Sequence, residues 1–167
     1  MKKRYRTTLA ATAMALGTVA LGGCDADGSF EALCSTDPPL PRQPYIGHVT
    51  AYADAPLTVE PGETFTVTIE HLGSDGASGA DAHPGGVVSM SGPVSGGGTR
   101  SVGGLFGPAF PVTLTYTVTG APGDRLRLAA ETGTSVIGIL GDDTYLETCV
   151  PVGDGLLRTI RIVDGDG

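Results

Sequence analysis

The feature that most constrains the fold is a strict alternation of apolar and polar residues in two stretches of the chain. In residues 64–70, Phe65, Val67 and Ile69 alternate with threonines and a glutamate, and residues 112–119 repeat this period over eight positions. Successive side chains of a β-strand point to opposite faces, so a period of two predicts a strand with one buried and one solvated face. Both stretches are therefore predicted to be strands of a half-buried sheet.

Turn signals between the strands support the same fold class. Pro61-Gly62 and Pro122-Gly123 each place proline before glycine, the order that a type II turn requires. After residue 34 no segment carries a helical repeat of ten or more residues. Weaker strand candidates are residues 46–53, 57–60, 87–90, 126–130, 136–140, 145–150 and 156–163. Residues 45–167 are therefore predicted to form an all-β domain, an antiparallel sandwich of about seven to nine strands.

One region of this domain departs from the strand pattern. Residues 73–107 are rich in glycine and serine and include Gly96-Gly97-Gly98. The composition predicts a long mobile loop with at most a short strand at residues 87–90. Such a loop serves either for binding or only as a spacer.

The N-terminal segment has the three zones of a secretion signal. Four basic residues precede an apolar run over residues 9–21, and the small residues Gly22 and Gly23 follow it. The run is shorter than the roughly 20 residues of a membrane-spanning helix. Residues 1–23 are therefore predicted to be a signal peptide.

Residues 21–24, Leu-Gly-Gly-Cys, resemble the lipobox of bacterial lipoproteins. The resemblance implies cleavage between Gly23 and Cys24 and a diacylglyceryl lipid on the Cys24 thiol. It also implies a protein anchored in a membrane on its extracytoplasmic side, in the periplasm or at the cell surface. The alternative is an ordinary secretion signal that a cysteine happens to follow, which would yield a soluble secreted protein.

Between this cysteine and the sandwich, residues 24–44 are predicted to be a flexible stalk. Asp, Gly and Ser open the segment, and four prolines in its second half favour a polyproline II conformation. With Cys24 assigned to lipid, Cys34 and Cys149 remain, and oxidising conditions outside the cytoplasm favour a disulfide between them. Two unpaired thiols, or a bridge from Cys24 to one of the others, are the alternatives.

Residues 57–67 loosely resemble the first sheet edge of bacterial immunoglobulin-like domains, through the sequence Leu-Thr-Val-Glu-Pro-Gly-Glu-Thr-Phe-Thr-Val. The resemblance implies an immunoglobulin-like β-sandwich. The chain departs from antibody-type domains because it has no tryptophan and its cysteines lie at the two ends of the domain.

The charge balance limits the classes of partner. From Cys24 onward the chain has six arginines, no lysine and 18 acidic residues, a net charge of −12. Such a surface repels nucleic-acid phosphates, which excludes nucleic acid as a partner, and it favours a cation or a basic partner.

No catalytic motif is found in the sequence. It contains neither a G-x-S-x-G elbow nor a phosphate-binding loop, and none of its three histidines lies in an H-x-H or H-E-x-x-H arrangement. His71 continues the inward phase of residues 65–69, and it could form a metal site with acidic groups of the following loop. That set is His71, Asp75, Asp81 and His83. Simple surface placement of these residues is favoured over a metal site.

The prediction is therefore a non-catalytic lipoprotein that binds an envelope protein, a glycan or a cation, or that serves as a structural module. No cofactor besides the lipid on Cys24 is expected. The alternative is a metal-binding or metal-dependent envelope protein that uses His71 and His83.

Overall fold

The protein is an all-β chain, as the sequence predicts. The computed structural model describes residues 26–74, 84–104, 107–140 and 143–165, which contain eleven strands rather than the seven to nine expected. The strands are β1 (Ala26–Asp37), β2 (Tyr45–Asp54), β3 (Thr58–Val59), β4 (Thr64–Ser74), β5 (Gly85–Ser91), β6 (Val94–Ser95), β7 (Gly98–Gly103), β8 (Val112–Val118), β9 (Arg125–Leu140), β10 (Asp143–Pro151) and β11 (Leu156–Ile162).

The long strand β9 joins two halves of a sandwich-like sheet. Its first part pairs with β11 and β5, and its second part pairs with β10. The large half runs β9–β10–β1–β2–β4–β8–β6, and the small half runs β3–β11–β9–β5–β7. All pairings are antiparallel except that of β3 with β11. The halves face each other, since Gly86 of β5 lies against Leu72 of β4, and Gly133 of β9 lies against Val49 of β2.

The two strands with strict alternation pair directly with each other. Phe65 lies opposite Tyr116 and Ile69 opposite Val112, and the side chains on this face are buried. The rings of Phe65 and Tyr116 lie 5.7 Å apart, a separation at which aromatic pairs attract. Both predicted type II turns are present, with positive φ at Gly62 and Gly123. The local patterns thus identified two neighbouring strands of the large half correctly.

The prediction of a stalk over residues 24–44 is wrong for most of its length. Residues 26–37 form β1, which lies inside the large half between β10 and β2. Its inward side chains are Phe30, Ala32, Cys34 and Thr36. The proline-rich residues 38–44 are the loop that joins β1 to β2, and Gln43 closes it by accepting from the Thr36 amide (2.8 Å) and donating to the Thr36 hydroxyl (2.6 Å). The prolines therefore shape a hairpin connection and not a tether.

The prediction of a mobile loop over residues 73–107 also needs correction, because β5, β6 and β7 lie within it. β5 and β7 pair over residues 85–90 and 98–103. Glycine here permits close packing: a side chain at Gly86 would overlap the Thr132 carbonyl oxygen and lie 2.8 Å from Leu72 Cδ2. The glycines of this region therefore belong to two tightly packed strands and not to a mobile loop. Within this region, residues 75–83, 105 and 106 lie outside the described part of the chain.

The predicted inward phase of His71 is wrong because β4 contains a bulge. Ala53 lies opposite Ile69 but Tyr52 lies opposite His71, so β4 has one extra residue, Glu70, at this point. A β-bulge of this kind exchanges the faces of the residues that follow it. Leu72 is consequently buried in the core, while His71 lies on the outer face beside Tyr52.

Gly47 of β2 is required by the packing around the cysteines. A methyl group at this position would lie 2.6 Å from Cys34 Sγ, closer than side chains tolerate. We expect Gly47→Ala to lower the free energy of unfolding by about 1–3 kcal/mol, the usual cost of overpacking a core. Urea denaturation measures this difference. Gly28→Ala in β1 is the matched control, because nothing lies within 4 Å of its added methyl group. An equal effect of both substitutions would contradict the packing argument.

Candidate functional site

An apolar row crosses the outer face of the large half. Leu33 of β1 lies opposite Val150 of β10 on one side and opposite Ile46 of β2 on the other. The three side chains are 47%, 49% and 59% exposed. Side chains directly opposite each other on neighbouring strands lie about 5 Å apart, so the row is one continuous surface. We call Val150, Leu33 and Ile46 the outer apolar row.

Polar and acidic groups surround this row. One position along the same face, exposed Glu31 lies opposite exposed His48, and on the other side Ser35 lies opposite Thr148. Val152, which follows β10, is also exposed, and its amide donates to the Glu31 carbonyl (2.9 Å). An apolar centre with a polar rim is the usual anatomy of a protein-binding surface.

The sequence did not reveal this row. Leu33 lies in the segment that was predicted to be a stalk, and its neighbour Val150 comes from β10, more than 100 positions further along the chain. In the structure Cys34 and Cys149 are buried, so the residues directly adjacent to them, Leu33 and Val150, point outward. The prediction of a stalk around Cys34 concealed this alternation.

The residues of the alternative metal site are only partly described. His71 is half-buried on the outer face, with ring centroids 5.7 Å from Tyr52 and 6.0 Å from Phe110. Desolvation by this packing lowers the pKa of the His71 imidazole. Asp75, Asp81 and His83 lie outside the described residues. His71 therefore has an apolar aromatic surrounding, and the proposed cluster is not assembled by the described part of the chain.

The predicted lipidation and cleavage positions, Cys24 and Gly23, also lie outside the described residues. The first described strand begins at Ala26, two residues after Cys24. None of the ranges that the structure describes holds a helix of the length and hydropathy needed to cross a bilayer.

The predicted disulfide between Cys34 and Cys149 is confirmed. The two residues lie directly opposite each other on β1 and β10, with Cα atoms 4.0 Å apart. Both are buried, and the Cys34 sulfur packs against Gly47, where a larger residue would overlap it. The bond therefore lies on the interior face of the large half, and it joins two cysteines that are 115 positions apart in the sequence.

A buried carboxyl group lies next to this disulfide. Glu147 of β10 is only 1% exposed, and one ligand atom from each of Cys34, Cys149 and Glu147 lies within 4.8 Å of the others. Desolvation by burial raises the pKa of the Glu147 carboxyl. Glu147 was not singled out from the sequence, although its position two residues before Cys149 on one strand places both on the same face.

Glu147 should make the stability of the protein depend on pH. Because the pKa of Glu147 is higher in the folded protein than in the unfolded chain, protonation of this carboxyl group favours the folded state. The contribution is fully present below the pKa that glutamate has in the unfolded chain. That stability is lost as the pH rises through the folded pKa. We expect Glu147→Gln to gain stability relative to the wild type as the pH rises from 4 to 8, measured by urea denaturation. Glu31→Gln, exposed on the neighbouring strand, is the control. A difference between wild type and Glu147→Gln that does not change with pH would contradict the prediction.

Comparison with known proteins found no relative. No protein-family model matches the chain, no curated protein matches it, and no solved structure matches it. What the protein does is therefore inferred from its own residues.

Proposed function

We propose that the chain is a membrane-anchored extracytoplasmic lipoprotein whose β-sandwich is a non-catalytic module for binding another protein. The observation that carries the binding role is the outer apolar row, three half-exposed aliphatic side chains made continuous by the register of β10, β1 and β2. The anchor is supported by the resemblance of residues 21–24 to a lipobox. The disulfide supports an oxidising compartment, where such bonds persist.

The partner is a protein surface with an apolar centre and basic side chains around it. The row itself favours an apolar contact, and Glu31 lies at its edge. With a net charge of −12 from Cys24 onward, the chain attracts basic surfaces and repels a second copy of itself. A protein partner accounts for both features, whereas a simple cation would not require the aliphatic row.

The start of β1 supports a close position of the domain relative to the membrane. Ala26 lies two positions after Cys24, and an extended chain spans at most about 3.5 Å per residue. The lipid would therefore be attached within about 7 Å of the sheet. In this arrangement the sandwich rests near the headgroups, and the outer apolar row lies seven residues further along β1, at Leu33.

The binding role is tested by removing the aliphatic row. The test variant combines Leu33→Ser, Ile46→Thr and Val150→Thr. These substitutions replace the three aliphatic side chains with polar ones and leave the strands extended. Burial of three such side chains contributes on the order of 1 kcal/mol each, so we expect partner affinity to fall about 100-fold. The measurement is saturable capture of a protein from detergent-solubilised envelope extract, followed by titration of the purified partner.

The control for this experiment is Ser29→Ala with Thr50→Ser, an opposed pair on the same two strands as Leu33 and Ile46. It should leave capture unchanged. Equal capture by the triple variant and the wild type would contradict the proposed surface. Binding that survives protease treatment of the extract would identify a glycan and would contradict a protein partner.

A further inference from the structure

Glu147 has no hydrogen-bond partner for its Oε2 atom among the described residues. Its two cross-strand neighbours have hydroxyl groups, but both donate elsewhere. Thr36 Oγ1 donates to the Pro38 carbonyl (2.8 Å), and Ser135 Oγ donates to the Ser74 carbonyl (3.1 Å). A buried polar group without a partner costs about 1–3 kcal/mol, and more when it is charged. The interior of the large half thus contains a carboxyl group that the disulfide state does not satisfy.

The sulfur atoms beside Glu147 cannot supply this partner while they are bonded to each other. A disulfide has no S–H donor, and its sulfurs are poor ligands compared with thiolates. Two-electron reduction changes both properties. It yields two thiols close to the carboxyl group, on strands that also pair through their backbones from Ala32 to Asp37.

We propose that reduction converts Cys34, Cys149 and Glu147 into a binding site for Zn²⁺ or a similar thiophilic divalent cation. Two thiolates and one carboxylate are a ligand set that zinc prefers, and they leave one position of a tetrahedron for water. Such a site depends neither on the outer apolar row nor on the proposed lipid anchor.

Coordination of Zn²⁺ at this position requires only small movements of the two sulfur atoms and the Glu147 carboxylate. In tetrahedral coordination with Zn–S distances near 2.3 Å, two sulfurs lie about 3.8 Å apart. The opposed Cα atoms, 4.0 Å apart, can hold released sulfurs at such a separation. The carboxylate, at most 4.8 Å from the sulfurs, moves inward by about 1 Å.

Reduction of the disulfide and binding of the metal are two separate steps. A dithiol or a phosphine donates two electrons to the disulfide; the dithiol is oxidised to its own disulfide, or the phosphine takes oxygen from water to become a phosphine oxide. Cys34 and Cys149 each gain a proton. Metal binding then releases both thiol protons, and also the carboxyl proton of Glu147 when it is present.

The test uses the full chain with Cys24→Ser in detergent, so that Cys34 and Cys149 are its sole thiols. The protein is reduced with a phosphine and titrated with Co²⁺, whose bonds to thiolate give charge-transfer absorption. We expect one Co²⁺ per chain, displaced by Zn²⁺, in the reduced protein and none in the oxidised protein. Glu147→Gln should weaken binding about tenfold or more, Cys34→Ser should abolish it, and Glu31→Gln should leave it unchanged.

If the reduced chain stays folded, two outcomes overturn the proposal. One is the absence of thiolate–Co²⁺ absorption in the reduced protein, and the other is equal affinity in the wild type and Glu147→Gln. Should reduction unfold the chain, Zn²⁺ is expected to restore the native circular dichroism, because metal binding is then coupled to folding. Failure of Zn²⁺ to restore it also overturns the proposal.

Discussion

Changing Cys24 to Ser should move the protein from the membrane fraction to the soluble fraction, or leave it with an uncleaved signal peptide. The protein should leave the membrane fraction because a serine at position 24 cannot carry the diacylglyceryl group. Burial of acyl chains contributes about 0.8 kcal/mol per methylene, and two chains anchor a protein stably where one does so only reversibly. Fractionation followed by intact mass measurement checks the result, since the mature wild-type chain should begin at Cys24 and carry the lipid.

The matched control is the double substitution Cys34→Ala with Cys149→Ala, which removes the other two cysteines and should remain in the membrane fraction. Unchanged membrane association of Cys24→Ser would contradict the lipid anchor. A wild-type mature chain that starts at another residue would contradict it as well.

The same double substitution should lower the free energy of unfolding by about 2–5 kcal/mol. The disulfide closes a loop of 115 residues, which restricts the unfolded chain, and it ties β1 to β10. Alanine suits these buried positions because it introduces no polar group. Urea denaturation of both proteins measures the loss, and hydrogen exchange of the β1 amides should accelerate.

Cys24→Ser is the control for this stability measurement, because it removes a cysteine that lies outside the described strands. A loss of stability well under 1 kcal/mol in the double variant would show that the sheet holds β1 without the bond. A similar loss in Cys24→Ser would show that the effect is not specific to the disulfide.

Local patterns were sufficient where the structure depends on neighbours in sequence. The alternation of residues 64–69 and the Pro-Gly pairs at 61–62 and 122–123 all describe interactions within a few residues. Side-chain alternation and φ preferences act locally, so strands β4 and β8 and their turns could be predicted. The cysteine pair was predicted from compartment and number, which are properties of the whole sequence.

The position of β1 could not be predicted in this way. Its inward residues Phe30, Ala32 and Cys34 alternate with outward residues, but Leu33 is apolar too and prolines follow, which obscured the period. The phase of His71 was missed because a bulge depends on the register between β2 and β4. Glycines at 85 and 86 suggested mobility when read alone, although they lie where strands and side chains approach most closely.

The sequence alone therefore determined that this chain is built from strands and where its Pro-Gly turns lie, and it favoured the cysteine pair that the structure joins. The tertiary structure decided which strands are neighbours, and with that it assembled the outer apolar row and placed Glu147 beside the disulfide. The physical reason is that both sites combine residues from β1 and β10, more than 100 positions apart. Their contact depends on strand register, which the packing of the whole sheet selects.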